Sequence, residues 1–412
     1  MSTIETRLSP SKKTIDDLAR FGGPQAFEQP LHVGRPNIGD RQQFLSRVND
    51  VLDRRWLTND GRYVIELEER VVEKIGVKHC IATCNATVAL EIAIRALGLE
   101  GEVILPSFTF IATAHALQWV GIKPVFCDID QQTHTIDPQK IGPLITSQTS
   151  GILAVNLWGR HCDIAALEAI AKHHDLKLLF DSAHAFGCSY QGQMIGGFGD
   201  AEVFSFHATK FVNSLEGGAI VTNDDELAQK FKLMRNFGFT SYDHVDSLGI
   251  NGKMNEVSAA MGLTNLDSLN DFIFVNRRNY QQYAKELAGL EGVKLISYDE
   301  NESCNYQYVV LEIDPAQTIV TRDELIQVLY RENVLARRYF YPGCHRTAPY
   351  NTTESPLSLP ETERICDRVL SLPTGTAVSP ADVTTICEII RIVVNNGREV
   401  SAKFRSETAE SV

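Results

Sequence analysis

Between Leu176 and Asp224 of this 412-residue chain, an acid and a lysine stand at the ends of short apolar runs. Leu176, Leu178, Leu179 and Phe180 lead into Asp181. Val203-Phe204-Ser205-Phe206 leads to Lys210, and Gly217-Gly218-Ala219-Ile220-Val221 follows a Glu-Gly-Gly turn. A lysine amine condenses with an aldehyde to form a Schiff base. A carboxylate can keep a pyridine nitrogen protonated, so that the ring draws electrons. An acid ending one strand and a lysine between two others is therefore the layout of a pyridoxal-phosphate (PLP) site. Taken singly, each residue has a plainer reading. Lysines mostly sit exposed, and an aspartate there also suits a helix cap or a metal.

Strands alternating with helices must position these groups. Residues 80–83 read as a strand, Asn85-Ala86-Thr87 as a turn, and 88–97 as an apolar helix ended by Gly98. Such a junction offers backbone N–H groups and a positive dipole end to a phosphate, although an ordinary β-α turn has the same pattern. Strand 103–106 runs into Ser107-Phe108-Thr109-Phe110, where an aromatic either joins the core or stacks on a flat ring. Strands at 124–130 and 152–159 and a helix at 163–174 precede Asp181. This alternation predicts a mostly parallel, three-layer α/β sheet. Ligands gather at strand C-terminal ends in such sheets, where Asn85–Thr87, Phe110 and Asp181 all fall.

Helices are predicted at 41–54, at 63–75 (containing Glu68) and at 225–236. A helix-rich stretch, 256–290, bridges to a smaller C-terminal α/β domain with strands at 293–297 and 306–313 and a helix at 322–333. Within it, Arg337-Arg338-Tyr339-Phe340-Tyr341-Pro342-Gly343-Cys344-His345-Arg346 concentrates aromatic and basic groups. It reads either as an exposed loop with a few buried rings or as a lid over an anionic ligand. The predicted plan is an N-terminal arm (1–30) lying loosely on the surface, a large domain (31–265), a small domain (266–400) and a disordered polar tail (401–412).

Composition sets limits. A net charge of −13 argues against a broad nucleic-acid surface. The nine cysteines form no C-x-x-C pair, which suits reduced thiols. Cys80 and Cys84 lack a second pair to complete a zinc site, and no metal is expected. The N-terminus lacks a signal-peptide core, and no run approaches the roughly 18 apolar residues of a membrane span. A cytoplasmic protein is expected.

The chain resembles the DegT/DnrJ/EryC1/StrS family of PLP-dependent sugar aminotransferases. The likeness runs through Asp181-Ser182-Ala183-His184-Ala185, Gly199-Asp200, Phe204-Ser205-Phe206-His207-Ala208-Thr209-Lys210 and Glu216-Gly217-Gly218. It extends over Pro106–Thr113, which aligns the ring-stacking residue with Phe110, and over Gly249–Glu256. In all it covers about 30–395. The resemblance implies the PLP-dependent aminotransferase fold of type I, with Lys210 holding PLP and shuttling the proton and Asp181 on the pyridine nitrogen. It places His184 beside the ring oxygen, and Ala86, Thr87 and Ser205 on the phosphate. Asn85 and Ala86 replace the family's commoner Ser-Gly. Asn251 is implied to reach the cofactor phosphate of a second copy, making a homodimer with shared sites. Arg338, Tyr339, Tyr341 and His345 are implied to bind substrate.

Members with histidine in place of the lysine are dehydratases, and Lys210 disfavours that chemistry. The Ser205–Lys210 and Phe340–Arg346 runs look most like enzymes that aminate dTDP-4-keto-6-deoxyglucose at C4 with glutamate as donor. Amination at C3 of a related dTDP-keto sugar is the alternative. A PLP-dependent lyase and a non-catalytic PLP-fold protein are weaker ones.

Overall fold

The structure is a computed structural model that describes residues 12–351 and 357–410. Seven strands form the large sheet: β1 (His79–Thr83), β2 (Glu102–Pro106), β3 (Lys123–Cys127), β4 (Thr149–Val155), β5 (Lys177–Asp181), β6 (Ala201–Ser205) and β7 (Gly218–Thr222). Their order is β1-β7-β6-β5-β4-β2-β3. β7 pairs antiparallel with both neighbours, and the remaining pairs are parallel. Runs such as VILP and GILAV are apolar without alternation because helices cover both faces of the sheet.

Helices α1 (Arg41–Arg54), α2 (Arg62–Ile75), α3 (Ala86–Ala96), α4 (Ile111–Trp119), α5 (Ile164–His174), α6 (Asp225–Arg235) and α7 (Glu256–Asp267) complete the large domain. Helix α3 begins two residues before the predicted start, because the Asn85 side chain caps it by accepting from Val88 N at 2.9 Å. At Ser268 the chain turns into α8 (Leu269–Leu287), which packs on the small domain. There β8 (Val293–Leu295), β9 (Val309–Ile313) and β10 (Val369–Leu372) form an antiparallel sheet. It is backed by α9 (Arg322–Arg331), α10 (Pro360–Arg368) and α11 (Pro380–Asn395).

Two terminal expectations differ from the structure. From residue 12 onward the arm is docked rather than loose: Ile15, Leu18, Ala26 and Phe27 are buried in the small-domain core. Glu332 accepts from Ala19 N at 2.7 Å and from Ala26 N at 2.8 Å, and it pairs with the buried Lys12 at 3.0 Å. Leu31–His32 then pairs in parallel with Val334–Leu335 of the small domain. Ile15, Leu18 and Phe21 recur every three residues, but Gly22-Gly23-Pro24 cuts the run to two short turns, too brief for periodicity to signal burial. The predicted tail at 401–412 is helical up to Glu410 as part of α12 (Gly397–Glu410). Its Val400 and Phe404 join the same core, and residues 411–412 lie outside the described ones.

Candidate active site

The C-terminal ends of β5 and β6, the start of α3 and the loop after β2 converge on a cavity of ≈ 660 Å³. Asp181 ends β5 and is buried. Its Oδ2 accepts from Thr113 Oγ1 at 2.8 Å, and its Oδ1 from Ala183 N at 3.1 Å. Burial pushes the carboxyl pKa up, while those two bonds and the nearby Lys210 charge pull it down. Thr113 is itself held by Thr109 at 2.9 Å.

Lys210 lies in the turn between β6 and β7, where its N–H donates to His207 O at 2.8 Å. Loss of water around its ammonium lowers the pKa to about 8, against the opposing pull of Asp181. At neutral pH roughly a tenth of such an amine is neutral, about two hundred times more than for an ordinary lysine. This is a nucleophilic amine in a site that can also host its ammonium form.

His184 is buried, and burial, followed by the Lys210 charge, holds its pKa well below the usual histidine value. Its Nδ1 accepts from Trp158 N at 3.2 Å, which assigns the proton of the neutral ring to Nε2. Tyr308 packs against the imidazole with ring centroids 4.5 Å apart, and Phe340 stacks on it at 6.0 Å and 17°. Phe110, the N-cap residue of α4, stays 56% exposed while lining the cavity. A large apolar face turned into the cavity is a ready surface for a flat ring.

Ala86 and Thr87 open α3, where helix geometry leaves the first N–H groups without intrahelical partners. Gly218 makes this approach possible: a Cβ there would lie 2.7 Å from Ala86 N and from Asn85 C. Ser205 ends β6 and also lines the cavity. A low-pKa amine, a buried carboxylate, an apolar ring face and an anion-binding helix start match the aldehyde, ring nitrogen, ring face and phosphate of PLP. The residues present therefore fit that group.

The remaining predicted residues divide. Tyr339 lines the same cavity. Arg338 and Tyr341 line an adjoining cavity of ≈ 430 Å³ that shares Phe110, Arg337, Tyr339 and Phe340 with the first. Arg338 lies over the Tyr341 ring at 4.8 Å and 3.4 Å from Asp323. His345 lines neither cavity. It is 3% exposed and bonded to Ser107, because its segment folds back against the end of β2. Asn251 is exposed and outside both cavities of its own chain, at a backbone bridge to Asn236.

Sequence reasoning passed over Thr113, Tyr308 and Trp158, and took Arg337 only as part of the aromatic and basic run. Thr113 follows Phe110 by one helical turn, a spacing that signals a shared face. Arg337, exposed with its guanidinium 5.5 Å from the Tyr339 ring centroid, lines both cavities. Nothing in the residue types distinguishes it from Arg338. Tyr308 and Trp158 carry no local signal, since only the packing of distant segments brings them to His184.

The sheet order, the second antiparallel domain and the lysine between the last two sheet strands define the fold of PLP-dependent aminotransferases. Within that class the chain belongs to the DegT/DnrJ/EryC1/StrS aminotransferase family, whose model matches residues 39–391. It is 34% identical to dTDP-4-amino-4,6-dideoxy-D-glucose transaminase of Shigella dysenteriae, over 91% of this chain and 100% of that protein. It is also 34% identical to GDP-perosamine synthase of Escherichia coli O157:H7, over 87% and 97% respectively. Among solved structures, DesI, determined in the presence of its TDP-sugar product, superposes with a TM-score of 0.92 at 48% identity. That match covers 95% of this chain and 100% of DesI. These likenesses make the chain a nucleotide-sugar aminotransferase.

Proposed function

We propose that this aminotransferase binds PLP and moves the amino group of glutamate to C4 of dTDP-4-keto-6-deoxyglucose, giving dTDP-4-amino-4,6-dideoxyglucose. The observation that carries the chemistry is Lys210, its pKa lowered to about 8, sharing one cavity with the buried Asp181 and the exposed face of Phe110. The acceptor is supported by the aromatic and cationic shelf beside that cavity, and by the likeness to a dTDP-sugar transaminase and to DesI.

When bound, PLP supplies a protonated ring that draws electrons from the carbon carrying the transferred nitrogen. Lys210 would hold the cofactor at its aldehyde carbon and would be freed to act as a base once the donor is bound. Its Nζ then takes the proton from the donor's α-carbon and, in the second half of the cycle, delivers one to C4 of the sugar. Asp181 holds the ring nitrogen's proton, and that cation offsets the carboxylate's own burial. His184 offers its Nε2–H to the ring oxygen. Phe110 covers one face and keeps water from it. The N–H groups of Ala86 and Thr87, with the Ser205 hydroxyl, take the phosphate. Arg337, Arg338, Tyr339 and Tyr341 receive the diphosphate and rings of the acceptor.

The active form in this reading is a homodimer, with Asn251 reaching the phosphate site of a second copy. The exposed Trp56, Leu57, Phe237, Leu248 and Ile250 provide apolar surface for that contact. Among the described residues no helix is long and apolar enough to cross a membrane, which is consistent with a cytoplasmic place. The test is an assay of the PLP-loaded protein with glutamate and dTDP-4-keto-6-deoxyglucose, with the amino position read by NMR. Nitrogen at C4 is expected. Nitrogen at C3, or turnover only with a GDP-linked sugar, overturns the acceptor, and failure of glutamate to bleach the bound cofactor overturns the donor.

A further inference from the structure

Arg338, Tyr339 and Tyr341 stand on an irregular segment, and such a segment keeps one shape only if it is tied down at both ends. One tie lies within the small domain. Arg337 N donates to Ser371 O at 3.0 Å, and Ser371 N donates back to Arg337 O at 2.8 Å. The other tie crosses to the large domain at Ser107, which is fully buried beyond the end of β2. Its carbonyl accepts from Cys344 N at 2.9 Å. Its Oγ accepts from His345 N at 3.0 Å and lies 2.6 Å from His345 Nδ1.

These bonds assign the imidazole. Burial lowers the His345 pKa, so the ring is neutral near pH 7. Nε2 faces the Glu363 carboxylate, which can only accept, so the ring proton stands on Nε2 and Nδ1 accepts from the Ser107 hydroxyl. Nε2 faces Glu363 Oε1 at 3.4 Å, and the other Glu363 oxygen pairs with Arg346 at 2.6 Å. Glu363 rides on α10, whose first turn is capped from the large domain. Asp128 Oδ1 accepts from Thr362 N and from Thr362 Oγ1 at 2.8 Å each, and Oδ2 accepts from Glu361 N at 3.1 Å. Gly343, at φ +88°, completes the arrangement: a Cβ there would come within 3.2 Å of His345 Nδ1 and of Thr362 Cγ2.

We propose that Ser107, His345 and Glu363 form a positioning network for the acceptor. They touch no substrate themselves but preset the shelf of Arg338, Tyr339 and Tyr341 on which the sugar nucleotide lies. The inference rests on the nucleotide-sugar reading of that shelf. Ser107 shares a short loop with Phe110, so the loop that supplies the ring-stacking face also holds the shelf. The network has no hydrogen bond to Lys210, Asp181 or His184 among the described residues, and so it serves the acceptor half of the reaction.

The test compares the wild type with Ser107→Ala, His345→Leu, the double variant and His345→Asn. Affinity for dTDP is measured by calorimetry, and the conversion of bound cofactor by glutamate is followed separately by its visible absorbance. Each apolar single variant is expected to bind dTDP about tenfold more weakly, the scale of one lost buried hydrogen bond. The double variant should match either single one, because all three break the same tie. His345→Asn, whose amide oxygen can take the place of Nδ1, is expected to recover most of the affinity. Conversion by glutamate should stay within about twofold in every variant, since a purely structural defect would slow both halves. Unchanged dTDP affinity in folded Ser107→Ala overturns the inference, as does an equal loss in the glutamate step. A wild type that binds no dTDP overturns the acceptor reading itself, and this inference falls with it.

Discussion

Lys210, Asp181, Ser205 and the Ala86–Thr87 turn stand where strands of a seven-stranded sheet end, whereas Arg338, Tyr339 and Tyr341 stand on an irregular segment between Val334–Leu335 and α10. In the first region Asp181 and Ser205 end buried strands, Ala86 and Thr87 open α3, and Lys210 sits in a short turn fixed by its N–H bond to His207 O. In the second, position depends on a few side-chain ties such as Ser107 to His345. Chemistry that moves a proton between fixed atoms needs the first kind of support, because small misplacement costs rate steeply. Recognition of one sugar nucleotide among several tolerates the second kind, which can change without disturbing the sheet.

Substitutions on the two sides should separate along the same line. Lys210→Ala is expected to lower turnover by about 10³-fold or more, because it removes both the aldehyde anchor and the proton shuttle. Steady-state assay checks this, and substantial residual turnover would remove Lys210 from its role. Asp181→Asn, which keeps the shape and loses the charge, should cost on the order of 10²-fold in both half-reactions. A loss confined to the sugar half would place Asp181 on the wrong side of the comparison.

Cofactor loading should follow the Lys210 amine. Only the neutral amine attacks an aldehyde, and its pKa is lowered to about 8. The loading rate is therefore expected to climb about tenfold per pH unit below pH 8 and to level off above it. A stopped-flow profile still climbing steeply past pH 9 would mean an ordinary, solvated lysine. Tyr341→Ala, on the shelf, should raise KM for the sugar nucleotide by up to about tenfold and leave the glutamate step unchanged. Equal effects on both substrates would erase the distinction between the regions.

The smallest expected effect tests the second copy. Lys210→Ala and Asn251→Ala chains, each impaired alone, should regain about a quarter of wild-type activity when unfolded together and refolded. Half of the dimers are then mixed, and each mixed dimer assembles one complete site from intact groups of both chains. No gain over the separate variants would show that each chain's site is self-contained.

The large domain was legible because its signals are local. Apolar runs between helical stretches mark a parallel sheet, and the acid and lysine at run ends mark the chemistry. Asn85 marks the start of α3 by its capping side chain, although the pattern placed the helix two residues late. The N-terminal segment was illegible because Ile15, Leu18, Ala26 and Phe27 are buried by contacts to residues some 300 positions away, and its two short helical turns are too brief to announce them. His345 shows the same limit within the site. Its aromatic and basic neighbours suggest a ligand contact, yet the fold turns it inward to Ser107 and leaves the neighbouring Arg337 facing the cleft.

By itself the sequence determined which residue types stand at which strand ends, and hence the class of chemistry, because strand and helix periodicity and turn residues act over a few positions. Only the tertiary structure decided which arginine faces the cavity, which histidine is buried neutral beside Lys210 and which one ties the shelf to the sheet. Those outcomes depend on the burial and hydrogen bonding of groups that meet only after the two domains pack together, and no local pattern encodes that meeting.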